Sequence, residues 1–421
     1  MVSIFRLITT YGMMGSKQKQ KRGGWMIIEP KFRGYICTTA HPYGCAAHVQ
    51  QQIKYVQQQK PIAGPQHVLV IGASTGYGLA SRIAAAFGAG AKTIGVFFER
   101  PAAGSRTATA GWYNTAAFEQ AAHKGGLYAK SINGDAFTEK VKHETIRLIQ
   151  QDLGKVDLVI YSLAAPRRTD PVTHQTYTSV LKPIGQPFIG KTVDFHSGEV
   201  SLAAIEPASP EEIAATIKVM GGEDWYLWIK ALTDAGVLDE ECLTIAYSYI
   251  GPAITRAIYR DGTIGKAKED LEATVDKLNQ LLHEVHGRAY VSINKAVVTQ
   301  SSAAIPVVPL YISLLYQVMK DKAIHEDCIE QVYRLFAERL SESKIETDSE
   351  GRIRLDDWEL RSDVQEQVQS LWEQVNSENI AVLTDLQGFR NDFFRLFGFG
   401  FPEVDYTADV DTTVQIPSLN Q

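Results

Sequence analysis

The sequence predicts an α/β fold with a doubly wound parallel sheet, and three observations carry that expectation. Short apolar runs alternate with helix-length segments from residue 67 onward. The first run ends in a glycine-rich turn that opens an alanine-rich helix. Apolar residues make up 45% and charged residues 21% of the 421, the balance of a chain with a large buried core.

HVLVIG (67–72) reads as a buried parallel strand, because a strand covered on both faces is apolar without alternation. YGLASRIAAAFG (77–88) follows as a helix and KTIGVFFE (92–99) as the second strand. A helix around 114–124, the strand GLYAKSI (126–132), a helix over 136–153 and the strand VDLVIYSLA (156–164) continue the rhythm. Repeated βα units of this kind imply right-handed crossovers.

Residues 166–205 are rich in Pro, Thr and Gly and read as an insertion carrying a small hairpin or two. Helices resume over 210–220 and 223–236, followed by the strand LTIAYSYIG (243–251). Leu271, Val275, Leu278, Leu282 and Val285 mark one face of a long amphipathic helix. AYVSINKAVV (289–298) is the sixth strand. From Ala296 to Met319 no residue is charged, a length that could span a bilayer. Polar residues 299–302 and the prolines Pro306 and Pro309 interrupt it, so a buried strand end and a core helix are expected, without membrane insertion. Beyond about residue 342 there is no strand rhythm, and Leu360, Val364, Val368, Leu371, Trp372 and Val375 stripe a helix.

The expected organisation is a single enlarged Rossmann-type domain over residues 26–421, with 166–205 inserted and 342–421 a helical addition. Residues 1–25 read as an extension. There the apolar stretch precedes the basic one, the reverse of a secretory signal, and Met26 reads as the true start.

A formal net charge of −6 gives no electrostatic footprint for nucleic acid or an anionic membrane. Four cysteines and no CxxC point to a reducing, cytoplasmic compartment. Cys37, His41, Cys45 and His48 in CTTAHPYGCAAH are zinc-ligand types, but their spacing matches no familiar finger; a structural loop without metal is expected.

The strongest local signal is Gly72, Ala73, Ser74, Thr75, Gly76 and Tyr77, with Gly78 beyond them. It joins the first strand to the first helix, where a Rossmann-like fold receives a pyrophosphate on free backbone N–H groups. Phe98-Glu99 closes the second strand. A carboxylate there accepts hydrogen bonds from ribose hydroxyls and repels a 2′-phosphate, which favours NADH over NADPH.

Several further blocks resemble a known family: NGDAF (133–137), YSLAAPRRTDP (161–171), VLKPIG (180–185), KVMGGEDW (218–225), AYSYIGP (246–252), GTIGKAKEDLEAT (262–274), SINKAVVTQSSAAIPVVPLY (292–311) and IRLDDWEL (353–360). Together, from about Ile28 to near Tyr406, they are similar to the FabV-type enoyl-acyl-carrier-protein reductases and the bacterial trans-2-enoyl-CoA reductases. The resemblance implies an enlarged, short-chain-reductase-like domain with extra helices, and NADH-dependent reduction of the C2–C3 double bond of an enoyl-CoA or enoyl-ACP, the last step of fatty acid elongation. A monomer is expected.

The resemblance also implies a Tyr-x8-Lys catalytic pair, met here by Tyr259 and Lys268, and a substrate-contacting Tyr249. It carries cofactor contacts onto Gly72–Tyr77, Phe98, Glu99, Asp135, Ala136, Leu163, Ala164, Lys268, Val297, Val298 and Thr299. A phenol can donate to the enolate oxygen that develops as hydride reaches C3, and a nearby ammonium lowers its pKa from about 10. In a chain with 18 tyrosines the bare spacing says little, and Lys266, Tyr247 and Tyr249 remain rivals. A 3-oxoacyl-thioester or carbonyl reductase, which would need a catalytic Ser and Tyr-x3-Lys, and a non-catalytic NADH-sensing protein are the alternatives.

Overall fold

The structure, a computed structural model, describes residues 25–33, 36–163, 165–340 and 345–420. The expected extension therefore lies, but for Trp25, outside the described residues, as does Ala164 of the expected cofactor contacts.

Seven parallel strands form the central sheet: β1 (His67–Ile71), β2 (Lys92–Phe97), β3 (Ala129–Asn133), β4 (Val156–Tyr161), β5 (Leu238–Ser248), β6 (Arg288–Ile293) and β7 (Ile353–Arg354). Their order is β3-β2-β1-β4-β5-β6-β7. The order reverses direction between β1 and β4, and in such sheets a ligand sits in the crevice outside the strand C-termini at that point. β6 stops at Ile293, so the expected strand residues 294–298 are loop. The C-terminal region, expected to be purely helical, supplies β7: Ser292 pairs with Ile353 and Ile293 with Arg354. Two residues are too few to show a period in the sequence.

The strand residues alternate between two helical layers, as the pleat demands. Val68 and Val70 of β1 face one cluster, with α1 (Pro42–Gln58), α2 (Gly76–Ile83) and α3 (Ala110–Lys124). Leu69 and Ile71 face the other, with α4 (Glu139–Asp152), α6 (Glu223–Asp234, after α5, Pro210–Met220) and α8 (Thr263–Leu281, after the single turn α7, Ala253–Arg256).

A third cluster explains the uncharged stretch. The helix α9 (Val308–Asp321) is buried all round, among Val364 and Val368 of α11 (Ser362–Gln374, after α10, Cys328–Arg334) and Phe389 and Phe393 of the helix Leu386–Arg395. A helix apolar on every face needs protein on every face. Among the described residues no helix is long and apolar enough to cross a membrane.

The insertion holds two antiparallel hairpins, Arg167–Thr169 with Thr176–Thr178 and Phe188–Asp194 with Glu199–Ile205. The second reaches the C-terminal layer: the Lys191 ammonium donates to the carbonyls of Trp372, Glu373 and Val375, capping the end of α11. At the termini, Trp25 pairs with Asp411 and Met26 with Val410. His41 caps α1, accepting from the Gly44 N–H, and Cys45 is fully buried; both sit in the expected structural segment.

Candidate active site

Backbone geometry dictates the glycines of the first turn. Gly72 has φ +89°, and a Cβ there would stand 2.1 Å from the Ser162 carbonyl oxygen. A Cβ on Gly78 would stand 1.9 Å from the Gly72 carbonyl. These two glycines serve close packing of strand, turn and helix. Gly76, at φ +52°, faces open space, with Thr299 Cγ2 its nearest neighbour at 3.9 Å. Thr75 makes no side-chain cap to α2, so the first-turn N–H groups stay available to a phosphate.

The Tyr77 side chain is engaged elsewhere, which leaves only its backbone to serve the turn. Its hydroxyl turns inward and donates to the Lys295 carbonyl at 3.0 Å.

Glu99 is held from three sides. Ser74 Oγ donates to its Oε1 at 2.7 Å. Asn133 clamps its backbone reciprocally, accepting from its N–H and donating to its carbonyl, both at 2.9 Å. Gly111 on α3 lies so close that a Cβ would stand 2.0 Å from Oε1. Burial raises the carboxyl's pKa, while hydrogen bonds from Thr109 and Ser74 and the charge of Arg100 oppose it. Phe98 beside it is 75% exposed, a free ring face for a base. Gly111 and Asn133 were not foreseen. The Asn of NGDAF at a strand end was the available signal; Gly111 left none.

Ala136 is buried and its carbonyl accepts from Trp228 Nε1 at 3.0 Å, while Asp135 Oδ1 accepts from the Phe137 N–H. Leu163 covers Gly72 from the β4 side. Val297 and Val298 are buried, and Thr299 lies beside Gly76, so the loop after β6 meets the phosphate turn.

The tyrosines are sorted by their partners. Tyr247 points to the α2 side, its hydroxyl 2.6 Å from Ser81 Oγ. Tyr249 donates to Glu359 Oε1 at 3.1 Å, and Gly251 makes room for that hydroxyl, since a Cβ there would stand 2.7 Å from it. Tyr259 packs edge-on against Tyr249, centroids 4.9 Å apart, and among the described residues no hydrogen bond engages its hydroxyl. Its carbonyl is gripped by the N–H groups of Gly262 and Gly265 at 3.2 and 3.0 Å. The glycines of GTIG therefore tie Tyr259 to the start of α8.

Lys268 and Lys266 separate cleanly. Lys266 is exposed and pairs with Glu269 at 2.8 Å. Lys268 is half-buried and donates to the Tyr247 carbonyl at 2.8 Å, at the C-terminal end of β5. Burial lowers its pKa to about 8, against the pull of Glu272. Burial pushes the Tyr259 phenol up; the cation that opposes this is Arg260, not Lys268. The phenol therefore stays protonated, which a hydrogen-bond donor requires.

A cleft of about 680 Å³ opens beside this cluster, between Gly251–Ile254 and the face of α11.

Comparison with known proteins follows the same lines. The model of the trans-2-enoyl-CoA reductase catalytic region matches residues 106–341. That of the NAD(P)H binding domain of trans-2-enoyl-CoA reductase matches 27–104, and that of the enoyl reductase FAD binding domain matches 347–410. The chain is 60% identical over 394 residues to the NADH-dependent trans-2-enoyl-CoA reductase of Ruminiclostridium cellulolyticum, covering 94% of this chain and 100% of that protein. It is 61% identical over 395 residues to the NADH-dependent enoyl-acyl-carrier-protein reductase of Cytophaga hutchinsonii, with the same coverage. The trans-2-enoyl-CoA reductase of Clostridium acetobutulicum in complex with NADH superposes with a TM-score of 0.91 at 46% identity, covering 93% of this chain and 100% of that one. That of Treponema denticola with NAD gives 0.89 at 51% identity, with the same coverage.

NADH fits the turn at Gly72–Gly78 and the carboxylate at Glu99 on the grounds above. Residues 347–410 offer no second phosphate turn of the kind at Gly72–Gly78. Among the described residues that segment has no glycine-rich strand–turn–helix, and Gly398 serves backbone packing, its Cβ position lying 2.5 Å from the Cys45 nitrogen and the His41 carbonyl oxygen.

Proposed function

This chain belongs to the trans-2-enoyl-CoA reductase family, and from that premise we propose that it uses NADH to saturate the C2–C3 double bond of a trans-2-enoyl thioester, carried on CoA or on acyl carrier protein. NADH, when bound, supplies the hydride for C3. The chain's residues then bind, orient and hold one proton.

Backbone N–H groups of Gly72–Tyr77 and the α2 N-terminus receive the pyrophosphate. Glu99 accepts from the adenosine ribose hydroxyls and excludes a 2′-phosphate. Phe98, Asp135 and Ala136 would border the adenine end, and Leu163 and Val297–Thr299 the nicotinamide end; Ala164, proposed with them, lies outside the described residues. Lys268 holds the nicotinamide ribose. Tyr259 donates its hydroxyl hydrogen to the thioester oxygen as enolate charge builds there, a pre-aimed donor in a half-buried site.

The observation that carries this assignment is the sorting of hydroxyls: Tyr247 and Tyr249 have partners, and Tyr259 has none among the described residues. The assay is NADH oxidation with crotonyl-CoA, set beside an acetoacetyl thioester to exclude carbonyl reduction. Rapid turnover of the second and none of the first would overturn the proposal; NADH binding without turnover of either would leave a sensor.

The chain reads as one enlarged domain, because all three matched segments contribute strands to a single sheet. Four free cysteines, three of them buried, support a reducing, cytoplasmic compartment, and a monomer remains the proposed state.

A further inference from the structure

Glu359 lies five residues beyond β7, and it is 0% exposed. Burying a carboxylate is costly unless it is paired or richly hydrogen-bonded. Among the described residues no cation lies within ion-pair distance of it; Lys295, whose charge acts on it, spends its ammonium on the carbonyls of Ala296 and Glu326, and burial raises the carboxyl's pKa against the hydrogen bonds of Tyr311 and Ala296 that favour its ionised form. Three donors take the place of a counter-ion. Tyr249 Oη and Tyr311 Oη donate to Oε1 at 3.1 and 2.6 Å, and the Ala296 N–H donates to Oε2 at 2.7 Å. Gln365 closes the arrangement, donating to Tyr311 Oη and to the Glu359 carbonyl. The residues before Glu359 are pinned as well, by Leu355 N–H on the Ile293 carbonyl, Arg354 on Asp356 and Arg334 on Asp357.

We infer that Glu359 is a two-armed positioning residue, one oxygen fixing the Tyr249 hydroxyl and the other fixing Ala296, which leads into the cofactor segment Val297–Thr299. The inference rests on the roles given above to Tyr249 and to that segment. An ionised carboxylate only accepts hydrogen bonds. It therefore accepts the hydrogen bond that the Tyr249 hydroxyl donates, and the Tyr249 oxygen is left to accept one. That suits an amide N–H on the arm of the thioester, a group common to CoA and acyl-carrier-protein substrates, and not the thioester oxygen. The donor to that oxygen is then Tyr259. Glu359 thus sets which tyrosine orients and which one donates, and this is what the segment 347–410 contributes to the site.

The test is a double-mutant cycle with crotonyl-CoA on the full chain: wild type, Glu359→Gln, Tyr249→Phe and the pair, with NADH affinity measured by fluorescence. Glu359→Gln keeps the shape but brings a donor where only acceptors serve. Each single change should raise KM for the thioester about tenfold, the scale of one hydrogen bond to a charged group. The pair should be no worse than the poorer single variant within about twofold, because both changes cut the same link. NADH affinity should fall several-fold in Glu359→Gln and in the pair, and stay unchanged in Tyr249→Phe. If the KM effects multiply, Glu359 acts on the fold at large and the inference fails while the role of Tyr249 stands. If Tyr249→Phe alters neither KM nor kcat, that role falls and the Tyr249 arm falls with it. Should Glu359→Gln lose cooperative melting, Glu359→Asp, which keeps the charge and withdraws it by one methylene, carries the same cycle with the same expected non-additivity.

Discussion

The phosphate turn and the tyrosine cluster are built in opposite ways. The turn is one contiguous stretch, Ile71–Gly78, and what it offers a phosphate is backbone N–H. The cluster gathers Tyr249, Tyr259–Lys268, Ala296–Thr299 and Glu359 from a span of over a hundred residues, and what it offers is side-chain hydroxyls, an ammonium and a carboxylate. Backbone recognition needs only the right φ and the right neighbours in sequence. A hydroxyl's role depends on which acceptor already holds its proton, and only tertiary contacts decide that.

The sharpest way to break this contrast is Tyr259→Phe. Removing one aimed donor should lower kcat with crotonyl-CoA by ~10²–10³ and leave NADH affinity within about twofold, since the turn is built elsewhere. A near-normal kcat, with kcat instead lost in Tyr249→Phe, would exchange the roles of the two tyrosines.

Gly111→Ala probes the turn side from an unexpected direction. The new Cβ, 2.0 Å from Glu99 Oε1, must displace the carboxylate. KM for NADH should rise about tenfold, the loss expected when a charge-assisted hydrogen bond is broken, while KM for NADPH changes little. An unchanged NADH/NADPH preference would show that Glu99 does not read the ribose.

Lys268 gives a smaller, pH-dependent effect. Burial holds its pKa below the ordinary lysine value, at about 8, so the ammonium is present below that pH and lost above it. On a pH profile, kcat/KM should bend downward as pH rises through about 8. The bend should vanish in Lys268→Met, whose NADH affinity is already weakened. Lys266→Met, which removes only an exposed pair with Glu269, should keep the bend and the wild-type rate.

Smallest of all is the effect of removing residues 1–24. A chain starting at Trp25 keeps the pairing of Trp25 and Met26 with Asp411 and Val410, so its melting temperature and kcat/KM should match those of the full chain. A drop of several degrees would assign the extension a packing role.

Much of the scaffold was legible because it follows local rules. Val68–Ile71 and Leu158–Ile160 are apolar without alternation, which marks buried parallel strands, and the glycines at 72, 76 and 78 announce the turn that follows. The uncharged run 308–319, which makes up most of α9, declared its burial in the same way. β7 was not legible, since Ile353–Arg354 is a strand only because Ser292 and Ile293 lie beside it. Tyr249, Tyr259 and Lys268 could be named from the resemblance, but composition and spacing could not rank them against Tyr247 and Lys266.

The sequence by itself determined six of the sheet's seven strands, the glycine-rich turn and the acid at the end of the second strand, because periodicity, backbone conformation and charge are properties of neighbouring residues. Tertiary structure alone decided that Tyr247 faces Ser81, that Glu359 accepts the Tyr249 hydrogen bond, that Gly111 must have no side chain and that Lys268 turns inward while Lys266 stays in water. Each of these is fixed by burial and by a partner distant in the chain, and neither is a property of the residue that shows the effect.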